Sequence, residues 1–222
     1  MLRSSIRVLR TVRRHGTELS RDRSGVAAIE FAFSGPMFIA LMLATMYTVL
    51  ILLAQQMLET AAQDAGRLLL IGSAQTIKQS NGTYGLTAAD FKNAICNGAS
   101  GTDSSGNPIT IPVLLPPMLS CSKLTVNVTT AATYNVASTA APTFTYNSSG
   151  VLTSTGTGYN YQSGGSGQSR IIVLQLSYLW PTGAGPLGVN LINQPNGNRL
   201  LTATSVFTTE NFSCNSAGQT SC

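Results

Sequence analysis

The chain has 222 residues, of which 13 are basic and 8 acidic, whereas about a quarter of the residues of a typical soluble protein are charged. The net charge of +5 is concentrated at the start, because residues 1 to 25 hold seven arginines and two acids and the rest is balanced. A nucleic-acid-binding domain, which needs Lys and Arg spread over a folded face, is therefore disfavoured. The single histidine, His15, lies in the basic head, which argues against a His-based metal site or a Ser-His-Asp triad.

A long uncharged segment follows this basic head. No residue between Glu30 and Glu59 is charged, and Phe31 to Ala54 is mostly apolar. As a helix, that stretch would rise about 36 Å, which is enough to cross a hydrocarbon core of about 30 Å. A buried core helix is the alternative, but such a helix has a regular polar stripe, and this segment is interrupted only by Ser34, Thr45 and Thr48. The sequence therefore predicts a transmembrane helix.

The arginines before the span predict its orientation. By the positive-inside rule they stay in the cytoplasm, so that residues 59 onward are exported. A cleaved secretory signal has a shorter apolar core and a small-residue site soon after it, and Ala54-Gln55-Gln56 is not followed by such a site. The expected topology is a single span of the inner membrane with the N-terminus cytoplasmic and the C-terminal domain periplasmic.

Glu30 lies at the edge of the apolar segment, where hydrocarbon or a packed helix bundle would surround it. A carboxylate in such a place is costly unless it finds a partner. One interpretation is that Glu30 lies at the headgroup boundary near Arg23 and has no special role. The neighbouring residues favour a special role, because Gly25 precedes an apolar helix in which Glu30 is the fifth residue and Phe31 the sixth.

This pattern resembles the processing site of type IV prepilins, and a wider set of residues is similar to the TadE/TadG-like family, which are pseudopilins of the Flp (Tad, type IVb) pilus assembly system. The resemblance is carried by Gly25 to Pro36, Gln55-Gln56 and Ala61 to Arg67. It implies that a membrane-embedded prepilin peptidase cuts between Gly25 and Val26, leaving Val26 as the mature N-terminus. The implied partners are the inner membrane, the peptidase, other pilins or pseudopilins and the Tad assembly platform proteins.

The chemistry of such a cut can be argued from the residues themselves. Cleavage would create an α-ammonium at Val26, and Glu30 of one staggered helix would meet the Val26 ammonium of the next, so that two costly charges neutralise each other. Glu30 and Phe31 are therefore the predicted subunit-assembly residues. Gly25 suits the position before the cut because it has no Cβ to obstruct a protease.

The helix is expected to continue beyond the membrane to Leu70, with Gly72 as its C-cap. Pro36 is expected to kink it. Leu58, Ala61, Ala62, Ala65 and Leu69 form an apolar face, opposite the polar side chains of Gln56, Glu59, Gln63 and Arg67.

The exported part, residues 73–222, is rich in small polar residues. Thr87 and Asp90 predict a capping box that opens a short helix with Phe91, Ala94 and Ile95 facing inward. Alternating apolar residues predict half-buried strands at 124–129 and 172–180 and a weaker one at 201–208. A proline-rich loop is expected at 108–117, and a low-complexity, flexible loop at 138–169.

Four cysteines, Cys96, Cys121, Cys214 and Cys222, lie on the predicted exported side. An even number in an oxidising compartment indicates two disulfides. Three pairings are possible, and we favour Cys96 with Cys121 and Cys214 with Cys222 because each closes a local loop. Zinc is the alternative, but the Cys-x2-Cys spacing of zinc sites is missing, so we predict no metal and no cofactor.

These observations predict an α+β protein: a basic leader (1–25) that is cleaved, a transmembrane and amphipathic helix (26–72) as a pilin-like spine, and a small antiparallel-sheet periplasmic domain with one short helix (73–222). The leading hypothesis is a pseudopilin that takes part in Flp pilus assembly. The alternative is an uncleaved single-pass protein with a periplasmic binding or adhesion domain. An enzyme is not expected, since nucleophile, base and orienting group do not occur together.

Overall fold

The computed structural model describes residues 25–160, 171–182, 185 and 188–209. Over these residues the elements are a long N-terminal helix, two shorter helices and seven strands, so the predicted α+β class is confirmed. The chain divides into two compact units. The first contains the helix residues up to Tyr47 together with the segment Pro186–Val189, and the second contains Thr48–Gly185 and the chain from Asn190 onward.

Helix α1 covers Val26–Leu70 and ends where the sequence predicts. The carbonyl of Arg67 accepts a hydrogen bond from the Ile71 amide at 2.9 Å, and Gly72 then adopts a left-handed φ of 79°, a conformation that glycine adopts without a Cβ clash. The one-turn helix α2 (Ser73–Thr76) follows directly. Its fully buried Gln75 donates from Nε2 to the Leu69 carbonyl at 2.9 Å, which fastens α2 to the end of α1.

Helix α3 covers Ala88–Asn97 and begins at the predicted capping box. The Thr87 hydroxyl accepts from the Asp90 amide at 3.3 Å, and the Asp90 carboxylate accepts from the Thr87 amide at 3.2 Å. Phe91, Ala94 and Ile95 are fully buried, as the periodicity predicts. Two backbone donors that helix formation would leave unpaired are satisfied in this way.

The central sheet is antiparallel, with β3 (Leu124–Ala131) and β7 (Asn198–Thr208) on either side of β6 (Ile171–Pro181). The predicted alternation in the first strand holds only in part, since Asn127 is buried and Val126 half-buried. The predicted apolar face of β6 is buried, but the strand is not half-buried as expected, because every side chain from Ile171 to Tyr178 is buried. The second face is covered because the chain after β3 returns across it.

Buried amides hold that returning chain on the sheet. Asn127 Nδ2 donates to Gln175 Oε1 at 2.8 Å, and Gln175 Nε2 donates to the carbonyls of Thr139 and Ala140 at 3.0 and 2.9 Å. Asn127 Oδ1 accepts from the Gly158 amide at 2.7 Å. Polar groups that would be costly to bury unpaired are thus satisfied, and they fix both ends of the 139–158 excursion.

Two hairpins occupy segments that we predicted to be loops. The excursion contains β4 (Phe144–Tyr146) and β5 (Leu152–Thr155), while residues 161–169 of the predicted flexible loop lie outside the described residues. The proline-rich segment begins with β2 (Pro108–Ile111), which pairs with β1 (Ala99–Thr102). Asp103 closes that turn, and its hydrogen bond from the Asn107 side chain lowers the pKa of the carboxyl from its ordinary value.

One of the two predicted disulfides lies within the described residues. Cys96, near the end of α3, is bonded to Cys121 in the 3-10 turn Cys121–Lys123 that leads into β3, with the two Cα atoms 5.7 Å apart. This confirms the favoured partner of Cys96. Cys214 and Cys222 lie outside the described residues, so that pairing stays a prediction.

We predict that the double substitution Cys96→Ser with Cys121→Ser lowers the free energy of unfolding by about 2–4 kcal/mol, because the cross-link restricts the unfolded chain. Chemical denaturation of the protein in detergent micelles measures this loss. The exposed neighbour Ser122 provides the control, since Ser122→Ala should leave the midpoint unchanged. An unchanged midpoint in the double variant would contradict a stabilising role for the bond.

Candidate functional site

The start of helix α1 is open over the described residues. The first backbone hydrogen bond of the helix runs from the Ile29 amide to the Gly25 carbonyl at 3.1 Å. Gly25 has no atom within 4 Å of the position where a Cβ would lie, and Val26 is 48% exposed. The bond between the two predicted processing residues is therefore accessible within the described part of the chain, which starts at Gly25.

Glu30 and Phe31 lie one turn further along this exposed helix. Ser34 donates its hydroxyl hydrogen to the backbone carbonyl of Glu30 at 2.8 Å. The Glu30 side chain takes no part in this bond. Among the described residues the Glu30 carboxylate has no hydrogen-bond or ion-pair partner. Within the described part of the chain, an acidic group thus stands unpaired and exposed at the beginning of an apolar helix.

The first half of α1 exposes large apolar side chains all around its axis. Phe33 is 80% exposed and Met37 74%, and most neighbouring positions are similar. By length and composition, α1 is the one described helix that could cross a membrane, and only 11% of its most apolar stretch is buried. A core helix of a soluble protein would be mostly buried, so this exposure favours contact with lipid or with other helices.

Pro36 lies inside α1 without ending it. The ring of Phe31 packs against Gly35, 3.5 Å from the point that a Cβ on this glycine would occupy. Proline supplies no amide hydrogen, so one carbonyl in the preceding turn lacks its usual partner. Such a carbonyl is tolerated in membrane helices when neighbouring groups or local adjustment satisfy it.

The second half of α1 buries one face against the sheet. The face that we predicted is buried, and it extends further toward the N-terminus than expected, through Ile51 and Ala54. At Gly66 the strand β7 comes very close: a Cβ on Gly66 would lie 2.9 Å from Ser205 Oγ and 3.2 Å from the Phe207 ring. Glycine at this position therefore allows the helix and the strand to pack directly.

A polar contact accompanies this packing. Gln55 Nε2 donates to the Glu59 carboxylate at 2.9 Å and to the Thr202 carbonyl at 3.1 Å. The sequence analysis did not predict the close packing at Gly66 or the hydrogen bond from Gln55 to the sheet. Both residues nevertheless lie in the stretches that carry the family resemblance. For Gly66, the sequence did offer one signal of close packing, namely a small residue on the buried face of an amphipathic helix.

The structure distributes the predicted site residues over the two units. Gly25, Val26, Glu30 and Phe31 belong to the first unit, and Cys96 and Cys121 belong to the second. Within the described residues no group of three or more His, Cys, Asp or Glu side chains could hold a metal ion. The described geometry of the first unit offers a surface for association.

By its fold, the chain is an α+β protein in which one long helix, exposed and apolar over its first half, precedes a small antiparallel-sheet domain. More particularly, residues 25–67 match the family model TadE, described as TadE-like protein. The match confirms the resemblance inferred from the sequence and implies involvement in the Tad pilus system. It begins at Gly25, covers most of α1 and includes none of the strands.

Searches of curated proteins and of solved structures found no match to this chain.

We predict that Gly66→Ala destabilises the second unit by about 1–3 kcal/mol through overpacking, less the gain of up to about 1 kcal/mol from helix propensity. Adding Ser205→Ala should recover part of the loss, because it removes the nearest clashing atom. Gly35→Ala is the matched control in the same helix, since its nearest contact lies at an ordinary 3.5 Å. Denaturation midpoints in detergent measure all three; equal stability of Gly66→Ala and wild type would contradict the close packing.

Proposed function

We propose that this chain is a pseudopilin that takes part in the assembly of a type IVb (Flp, Tad) pilus. In this proposal it is inserted in the inner membrane by the apolar half of α1 and processed by a prepilin peptidase. The observation that carries the proposal is the TadE-like match, because it falls on a helix that begins at Val26 and leaves its apolar half uncovered. Such a helix needs a bilayer or neighbouring helices around it.

Two features support an orientation with the second unit outside the cytoplasm. The excess of arginines precedes the apolar segment, where the positive-inside rule keeps it cytoplasmic. The Cys96–Cys121 disulfide lies on the other side of that segment, and disulfides persist in oxidising compartments such as the periplasm. The arginines before the apolar segment and the disulfide after it therefore favour the same topology, with residues 73–222 as the periplasmic domain.

The open helix start supports processing between Gly25 and Val26. A peptidase must reach an extended backbone, and the described residues around Gly25 leave it uncovered. In the proposal, residues 1–25 are a leader that is removed, and residues 26–72 form the mature membrane and spine segment. The cut converts a chain interior into an α-ammonium group on Val26.

The Glu30 carboxylate, which has no partner among residues 25–160, supports a role in association. In a bundle of staggered helices, the Val26 ammonium of one subunit would lie against the Glu30 carboxylate of its neighbour. In a low-dielectric bundle each charge alone is strongly disfavoured, whereas the pair is tolerated. Subunits in a wrong register would leave both charges stranded, so the pair also selects the register. The partners in this proposal are other pilins or pseudopilins and the assembly platform.

We predict that co-expression with the prepilin peptidase of the same pilus system removes 25 residues and exposes Val26 as the N-terminus. Intact-mass measurement and N-terminal sequencing of the membrane-extracted protein test this. Gly25→Val should block the cut because it places a branched side chain at the scissile bond, while Gly35→Ala should be cut normally. A chain that keeps its leader, when a second pilin is cut in the same cells, would favour the uncleaved single-pass alternative.

We predict that Glu30→Gln permits membrane insertion and cleavage but reduces cross-linking to partner pilin subunits by at least about tenfold, because removing one partner of a buried charge pair costs about 3–5 kcal/mol. The matched control is Glu59→Gln, since Glu59 lies on the same helix beyond the apolar segment and contacts Gln55 within its own subunit. Site-specific cross-linking in membranes measures the yield. Equal yields for Glu30→Gln and wild type would contradict the charge-pairing role.

A further inference from the structure

One end of the central sheet lies toward Thr48, the residue of α1 at which the second unit begins. Two contacts within this unit give the direction of β7 along the helix. Gln55 Nε2 reaches the Thr202 carbonyl, whereas Gly66, farther along the helix, lies against Ser205. The strand therefore advances in the same direction as the helix, and its residues before Thr202 lie on the side of Gln55 that leads to Thr48.

Three side chains lie at this end of the sheet, which we name the basic end: Lys123, Trp180 and Arg199. Arg199, near the start of β7, pairs directly with Trp180, near the end of β6. Lys123 precedes Leu124, the first residue of β3, which pairs with Tyr178 of β6. Because neighbouring strands of the sheet are antiparallel, the starts of β3 and β7 lie together with the end of β6.

The guanidinium group of Arg199 has donors that the described chain does not use. Side chains alternate between the two faces of a strand, so Arg199 lies on the same face as Ser205, the face that packs on α1. Nη1 of Arg199 donates to the Leu191 carbonyl at 3.2 Å, while Nε is buried and has no hydrogen-bond partner among the described residues. A guanidinium has five N–H donors, and a buried donor without an acceptor is costly. The group is therefore suited to an additional acceptor from another molecule.

The basic end combines two cations with an aromatic ring. Lys123 is exposed, and Trp180, the only tryptophan of the chain, is half-buried. In the described part of the chain neither Lys123 nor Arg199 forms an ion pair with a carboxylate. Uncompensated cations attract anions, and arginine binds phosphate oxygens particularly well. Tryptophan is enriched at the headgroup level of bilayers, so the three side chains together suit the phosphates of a lipid surface.

The part of α1 that leads to the basic end is apolar and exposed. Within the second unit, Leu50, Leu52 and Leu53 are exposed, and Leu52 is 64% exposed. A hydrocarbon core of about 30 Å is crossed by about 20 helical residues, which, counted from Phe31, end near Leu50. The headgroup layer therefore begins on the stretch of helix toward which the basic end lies.

From these observations we infer that the basic end binds the phosphate groups of anionic phospholipids on the exported side of the bilayer. The inference rests on the proposed insertion of α1. Arg199 donates hydrogen bonds to one lipid phosphate, and Lys123 supplies a second positive charge at the same end of the sheet. The ring of Trp180 lies at the level between headgroups and acyl chains. Lipid binding at this end holds the second unit against the membrane surface.

Tryptophan fluorescence of the full chain in lipid vesicles tests the position of the basic end. Trp180 is itself the probe, because it is the only tryptophan. Two comparison probes are introduced in a Trp180→Phe background. Phe38→Trp, at an exposed position in the apolar half of α1, reports on the span, and Val151→Trp, 59% exposed between β4 and β5, reports on another surface of the second unit. The vesicles contain phosphatidylglycerol and phosphatidylcholine, with bromine near the headgroup or near the chain ends.

A titration tests whether phosphate is what the basic end binds. Phosphatidylglycerol brominated near its headgroup is added to the protein in non-ionic micelles, and the half-quenching concentration of Trp180 is measured. We expect Lys123→Gln with Arg199→Gln to raise this concentration at least about tenfold. The control pair, Arg67→Gln with Lys92→Gln, removes the same charge elsewhere in the second unit and should leave the concentration unchanged. Lys123→Gln alone, at an exposed position where the fold does not depend on it, should raise the concentration at least about threefold.

In vesicles we expect Trp180 to lose intensity mainly to bromines near the headgroup, Phe38→Trp mainly to bromines near the chain ends, and Val151→Trp to neither. If Trp180 behaves like Val151→Trp while Phe38→Trp is quenched, the lipid contact is overturned and the span stands. If Phe38→Trp is itself unquenched, the insertion of α1 and with it the proposed function are overturned. If Trp180 is quenched in vesicles but the half-quenching concentration of Lys123→Gln equals that of the wild type, recognition of phosphate by the basic end is overturned.

Discussion

The structure depends on one helix whose two halves require different surroundings. Between Val26 and Leu50 most side chains of α1 are apolar and exposed, whereas from Ile51 to Leu69 the helix buries one face, which is made mainly of apolar residues. In water, exposing so many large apolar side chains would oppose folding, since burying each of them contributes about 1.5–3 kcal/mol. The first half therefore requires an apolar surrounding that the described chain does not provide, and the second half provides its own by packing on the sheet.

The packing of the second half explains why small residues line that face. Ala61, Ala62, Ala65 and Gly66 let the helix lie directly on β7, and Gly66 marks the closest approach. On the opposite face of the sheet, hydrogen bonds from buried amide side chains hold the chain that returns after β3. The Asn127–Gln175 pair provides them, which allows an uncharged, threonine-rich segment to cover a sheet without a large apolar surface of its own.

The functional proposal follows from the Glu30 carboxylate, for which the described part of the chain provides no partner. Apolar side chains at the start of the helix can be satisfied by lipid alone, but the Glu30 carboxylate cannot. A new ammonium group at Val26 on a neighbouring subunit would meet this need, and its creation by cleavage would link processing to association.

The sequence by itself determined the features that depend on neighbouring residues: the extent of α1 to Leu70, the capping box of α3, the three strands of the central sheet and the Cys96–Cys121 bond. Each rests on helical or strand periodicity, on a local cap or on a short chain closure. Only the tertiary structure decided that both faces of β6 are buried and that β1–β2 and β4–β5 form hairpins. These features depend on segments far apart in the chain, and composition alone cannot indicate which distant segment will cover a given surface.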